Sequence, residues 1–100
     1  MKTRFIVIEK KGPAWDPSRL RRAQAQWDEH AAFIEGLVAD GVVLIAGPLG
    51  QGDGEDALLV VDAPDEETIV STFKNDPWIQ SGILETRSIQ RWTIFVDAWC

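Results

Sequence analysis

His30 is the only histidine in the chain, and the only cysteine, Cys100, is its last residue. Any Ser-His-Asp, Cys-His or histidine–metal scheme must therefore pass through His30. An internal disulfide and a cysteine-based zinc site are both excluded. What remains open to a lone imidazole is general base chemistry. For that it needs a carboxylate on one ring nitrogen, to fix the tautomer and offset the charge of the protonated ring. Asp76, in the run Asn75-Asp76-Pro77, is the acid that the predicted topology delivers to it.

The elements that must position these two residues follow from patterning. Thr3–Glu9 is β-branched and aromatic and reads as a strand. Lys10–Trp15 holds Gly12 and Pro13 and reads as a loop. Asp16-Pro17 has the form of a helix cap with proline at the first helical position. Leu20, Ala23, Trp27, Ala31, Ile34, Leu37 and Val38 then recur at three- and four-residue steps. That spacing predicts an amphipathic helix from Leu20 to Asp40, stopped by Gly41, with a break allowed at Arg22–Gln26. Val42–Leu49 and Ala57–Asp62 read as strands joined by the turn Gly50–Asp56. Asp65 caps a helix through about Phe73, which Asn75-Asp76-Pro77 ends. Trp78–Gly82 reads as a short turn, and Ile83–Val96 as the last strand region.

The order βαββαβ is the ferredoxin-like pattern: an α+β fold with a four-stranded antiparallel sheet, strand order 4-1-3-2, and two helices on one face. In that topology the Lys10–Trp15 loop, the upper part of the first helix, Gly47-Pro48 and Asn75-Asp76-Pro77 meet at one edge of the sheet. His30 lies three residues after Trp27 and four before Ile34, on the sheet-facing stripe. An imidazole there needs a hydrogen-bond partner. The plain alternative is a hydrogen-bonded core histidine, with Asp76 a helix-end turn residue before proline. The pairing comes from topology, not from spacing.

The sheet itself asks for a partner. Val42–Ala46 and Ala57–Val61 are apolar on both faces, whereas a half-exposed strand alternates. Two helices cover one face only, so a second copy of the sheet is the simplest cover for the other, giving a homodimer of single-domain chains spanning residues 1–100. Of Val43 and Ile45, one is expected to face the helices and the other the partner copy.

Composition removes other classes. The 100 residues carry a net charge of −6, and Arg19, Arg21 and Arg22 form the one basic cluster, read as a solvated helix start. Nucleic-acid binding needs a concentrated positive face, so none is expected. There is no basic-then-apolar leader and no apolar run approaching 18 residues, so the expectation is a cytoplasmic protein with no membrane partner. Gly50-Gln51-Gly52-Asp53-Gly54 joins two strands with no helix after it, which argues for a turn rather than a phosphate loop. Asp53, Glu55 and Asp56 lack EF-hand spacing, and no metal or cofactor is expected. Five tryptophans are many for this length; Trp15, Trp27 and Trp78 fall in segments that flank His30 and suit the walls of an apolar pocket for a flat ring.

Trp27-Asp28-Glu29-His30, the run Gly41–Leu49 and Asn75-Asp76-Pro77-Trp78 with Ser81-Gly82 together resemble the YCII-related (YciI-like) family, over about Arg4 to Phe95. The resemblance implies a dimeric α+β barrel and a His-Asp active-site dyad, here His30 and Asp76, with Gly47 and Pro48 lining the pocket. It also implies kinship with a dehydrochlorinase of a chlorinated hydroxyhydroquinone. Trp78 stands where the family often has Phe or Tyr, and the first loop is longer and carries Trp15. The expected activity is that of a cofactor-independent lyase, isomerase or dehydrochlorinase-like enzyme acting on a small cyclic or aromatic molecule. The alternative is a non-catalytic small-molecule-binding or stress-associated accessory protein that uses the same pocket.

Overall fold

The computed structural model describes residues 2–51 and 56–98. Asp53 and Glu55 of the acidic turn, and Trp99 and Cys100, lie outside the described residues. The elements run β1 (Lys2–Lys11), a 3-10 turn (Arg21–Ala23), α1 (Trp27–Ala39), β2 (Val43–Pro48), β3 (Asp56–Val61), α2 (Glu66–Phe73), α3 (Pro77–Ser81) and β4 (Leu84–Ile94). The strands form one sheet in the order β2-β3-β1-β4, with every neighbouring pair antiparallel. This is the α+β ferredoxin-like arrangement.

One face of the sheet makes the main core. Phe5 and Val7 of β1, Leu59 and Val61 of β3 and Val43 of β2 pack against Leu37 of α1 and Ile69 and Phe73 of α2. Strand alternation selects these residues, and the 3.6-residue period of the helices supplies their partners. Asp65 starts α2 by accepting the Thr68 N–H at 2.8 Å and its hydroxyl at 2.7 Å. These bonds hold the Asp65 carboxyl below its ordinary pKa. Gly41, at φ +77°, turns the chain out of α1 in a conformation that suits glycine.

Two expectations need correction. The first helix starts at Trp27, not Leu20, and Asp16-Pro17 caps no helix. Asp16 instead accepts the Ser18 N–H and hydroxyl in a local turn. Leu20 is exposed, and the buried Gln24 side chain bonds the Asp16 N–H, Asp16 carbonyl and Arg19 carbonyl, which holds this stretch as a folded loop. Gln26 closes the loop at φ +61°, a left-handed conformation. The second correction is Trp78–Gly82, predicted as a turn: residues Pro77–Ser81 form α3, with Asp76 as its N-cap and Pro77 in its first turn.

The other face of the sheet carries Ile6 and Ile8 of β1 beside Val60 and Leu58 of β3. Alternation alone would put Val43 and Ile45 on the same face. A bulge between them changes this: Val43 pairs with Val61 on the helix side, and Ile45 pairs with Val60 on the other. Ile45 and Trp92 remain exposed there. No helix among the described residues is long and apolar enough to cross a membrane.

Candidate active site

The site is built at the junction of α1 and α3. His30 sits one turn into α1 on the stripe that begins at Trp27. Asp76 precedes Pro77, which bars a helical conformation for it and leaves it extended at φ −69°, ψ 123°. Its Oδ1 accepts the Trp78 N–H at 2.9 Å, so the capping bond that starts α3 also fixes the carboxylate. His30 Nδ1 meets both oxygens of that carboxylate, at 2.9 and 3.0 Å. Both residues are buried, His30 at 8% exposure and Asp76 at 0%. A carboxylate only accepts hydrogen bonds, so Nδ1 donates to it, and Nε2 is the ring nitrogen not engaged by Asp76.

Aromatic rings hold the imidazole in place. The Trp78 ring stacks on it at 4.0 Å and 4°. Trp78 is fully buried, and its indole N–H donates to the Ala25 carbonyl at 2.6 Å. Trp27 lies 5.8 Å from the imidazole and 5.5 Å from Trp78, and Trp15 meets Trp78 edge-on at 6.0 Å. Trp15 and Trp27 stay half-buried, and Trp78 lies behind the imidazole. Ile83 and Leu84 complete this second apolar cluster.

The first loop is tied to α3. Gly12 N–H donates to the Ile83 carbonyl at 2.8 Å and Ala14 N–H to the Gly82 carbonyl at 2.9 Å. A Cβ on Gly12 would run into the Gly82 backbone carbonyl, with its carbon at 2.9 Å. Gly12→Ala is therefore expected to displace the Trp15 loop and cost about 1–3 kcal/mol, the usual range for overpacking. Urea unfolding of the variant measures it, and an unchanged midpoint would contradict the close approach.

Gly47 and Pro48 come from the end of β2. Both are exposed on the edge strand β2, and a Cβ on Gly47 would meet no atom within 4 Å. Pro48 pairs with Ala57, which pairs with Glu9, so the end of β2 shares a cross-strand row with Glu9. Among the described residues no group of three or more histidine, cysteine, aspartate and glutamate side chains is arranged to hold a metal ion.

Sequence reasoning missed two residues, Glu9 and Arg21. Glu9 falls on the helix-facing side of β1, in line with Phe5 and Val7, and is 2% exposed. Its Oε2 is buried without a hydrogen-bond partner among the described residues. Burial pushes its carboxyl up to about 8, the Asp76 carboxylate adds to the rise, and the Arg21 guanidinium opposes it. Arg21, read from the sequence as solvated, is 7% exposed and lies 5.1 Å over the Trp15 ring. The signal available for Glu9 was alternation, which puts it in the helix-facing row of Phe5 and Val7. Nothing in the pattern marked Arg21, because the regular helix predicted there is a 3-10 turn.

The comparisons with known proteins agree with this fold. The model of the YCII-related domain matches residues 3–93. The chain belongs to that family. Among solved structures, this YCII-related chain is similar to 5-chloro-2-hydroxyhydroquinone dehydrochlorinase from Burkholderia phenoliruptrix AC1100, in complex with 2,5-dihydroxybenzoquinone. The TM-score is 0.64 at 25% identity, covering 89% of this YCII-related chain and 93% of the other. No curated protein matches it. The structural likeness places the chain beside that dehydrochlorinase in fold.

Proposed function

We propose that the chain is a cofactor-independent enzyme of the dehydrochlorinase or lyase kind, with His30 as general base and Asp76 as its orienting carboxylate. The observation that carries this is the two-oxygen contact of Asp76 with His30 Nδ1, made by a carboxylate that Trp78 N–H also holds. The substrate class is a small flat ring bearing hydroxyl groups. Trp15 and Trp27 flank it, and the exposed row at Gly47 and Pro48 borders it. His30 Nε2 takes a hydroxyl proton, and the O–H electron pair becomes that of a ring carbonyl. The imidazolium returns its proton to the ring carbon bearing chlorine. Chloride then leaves with the C–Cl pair as neutral His30 takes a second hydroxyl proton, whose O–H pair forms the second carbonyl, and the net change is loss of HCl without an electron acceptor. Asp76 offsets the charge of the imidazolium formed in the first step.

Chloride release from a chlorinated hydroxyhydroquinone is the test. Release that saturates with substrate is expected. Binding of 2,5-dihydroxybenzoquinone, read by tryptophan fluorescence, without chloride release would favour the accessory binding protein instead.

The reading includes a homodimer formed through the free face of the sheet, where Ile6, Ile8, Ile45 and Trp92 leave apolar surface without cover. Light scattering is expected to give twice the chain mass at micromolar concentration. Ile45→Asp should give a folded monomer, whereas Val43→Asp, 1% exposed under the helices, should unfold the chain. A monomeric parent protein would contradict the dimer.

A further inference from the structure

The described residues hold one buried carboxyl that the proposed reaction does not use. Glu9 lies two residues before Lys11, whose β4 partner Leu84 packs with Trp78, the ring stacked on His30, and it sits where β1 changes register against β4. The shift falls between Ile8, opposite Ser88, and Glu9, opposite Thr86, leaving Arg87 as the extra residue of the bulge. Bulges of this kind turn a side chain away from its regular direction. The strands offer Glu9 no charged partner in its row: Ala57 of β3 and Thr86 of β4 stand beside it. The charges that act on it come from the other layer, Asp76 before α3 and Arg21 from the 3-10 turn, and His30 of α1 enters through Asp76.

We propose that Glu9 is a positioning residue of this site: by holding or releasing a proton on its unpartnered Oε2, it sets the charge around the His30–Asp76 pair. With Glu9 protonated, Asp76 and Arg21 are the charges that act on it, and Lys11 lies with Arg21 over the Trp15 ring. When His30 takes a proton, the group gains one positive charge, and ionised Glu9 cancels it. In a place with little water such a charge is weakly screened, so the state of Glu9 changes how readily the imidazole accepts a proton. The carboxyl is poised for this, since burial and Asp76 lift it to about 8 against the pull of Arg21. Ionised Glu9 favours the imidazolium, because it adds a nearby negative charge.

The proposal rests on the His30–Asp76 pair being the working part of the site, and its test needs no turnover. NMR titration of the full chain follows the Glu9 side-chain carboxyl carbon and the His30 ring nitrogens together. The Glu9 signal is expected to move with a midpoint near 8, and the His30 signals to step at the same pH. In Glu9→Gln that step should vanish, and in Glu9→Asp it should return. A Glu9 midpoint in the ordinary carboxylate range, or His30 signals with no step where Glu9 ionises, would overturn the proposal. Coincidence of the two steps in the parent protein decides the matter even where a variant folds poorly. A negative result removes Glu9 from the site and leaves the base role of His30 to be judged by chloride release.

Discussion

His30→Ala is expected to lower chloride release from a chlorinated hydroxyhydroquinone by about 10²- to 10⁴-fold, the usual worth of a positioned general base. The imidazole is held by two contacts to Asp76 and by the face of Trp78, so no other ring nitrogen can take its place. Asp76 keeps its Trp78 N–H bond in the variant but loses its buried partner. For that reason His30→Gln belongs beside it, since an amide can still donate to the carboxylate without serving as a base. Both variants are measured by steady-state chloride release, with circular dichroism to show that they fold. Near-parental turnover in folded His30→Gln would remove the proposed base.

The second large effect is on stability. The Glu9 carboxyl is raised from 4.5 to about 8 in the folded chain. Between those two values the folded chain holds a proton that the unfolded chain has lost, so stability falls as pH rises. The advantage of the buried neutral acid is fully present below 4.5 and is lost as pH climbs through about 8. At 1.36 kcal/mol per unit the loss amounts to roughly 5 kcal/mol at most. Glu9→Gln cannot ionise, so its stability is expected to run flat over this window and to exceed that of the parent above pH 8. Urea unfolding at fixed protein concentration, repeated from pH 5 to 9, measures it. Parallel slopes in the two proteins would show that Glu9 does not carry the effect.

The pairing of His30 with Asp76 was legible because two local rules and one global rule converge on it. The Trp27–His30–Ile34–Leu37 spacing turns His30 toward the sheet, proline fixes Asp76 at the end of α2, and the βαββαβ order brings those ends together. The start of α1 was legible only as an allowed break at Arg22–Gln26. Leu20 and Ala23 fit the helical period, but the Gln24 side chain and the Trp78 indole take up backbone groups of that stretch through tertiary bonds that no local pattern records. The bulge that separates Val43 from Ile45 was hidden for the same reason, since a register shift leaves the residue types unchanged. Trp78 was legible as a neighbour of His30. Its complete burial behind the imidazole was not, because it depends on α3, a helix too short to show a period. Glu9 was missed although alternation puts it in the helix-facing row of Phe5 and Val7.

The most direct measurement of the central claim is an NMR titration of the chain, labelled in its histidine and tryptophan ring nitrogens, with 2,5-dihydroxybenzoquinone. The ring signals of His30, and the indole N–H signals of Trp15 and Trp27, are expected to move together and to saturate, while that of Trp92 on the free face of the sheet stays in place. Movement at Trp92 with His30 unchanged would contradict a site at His30.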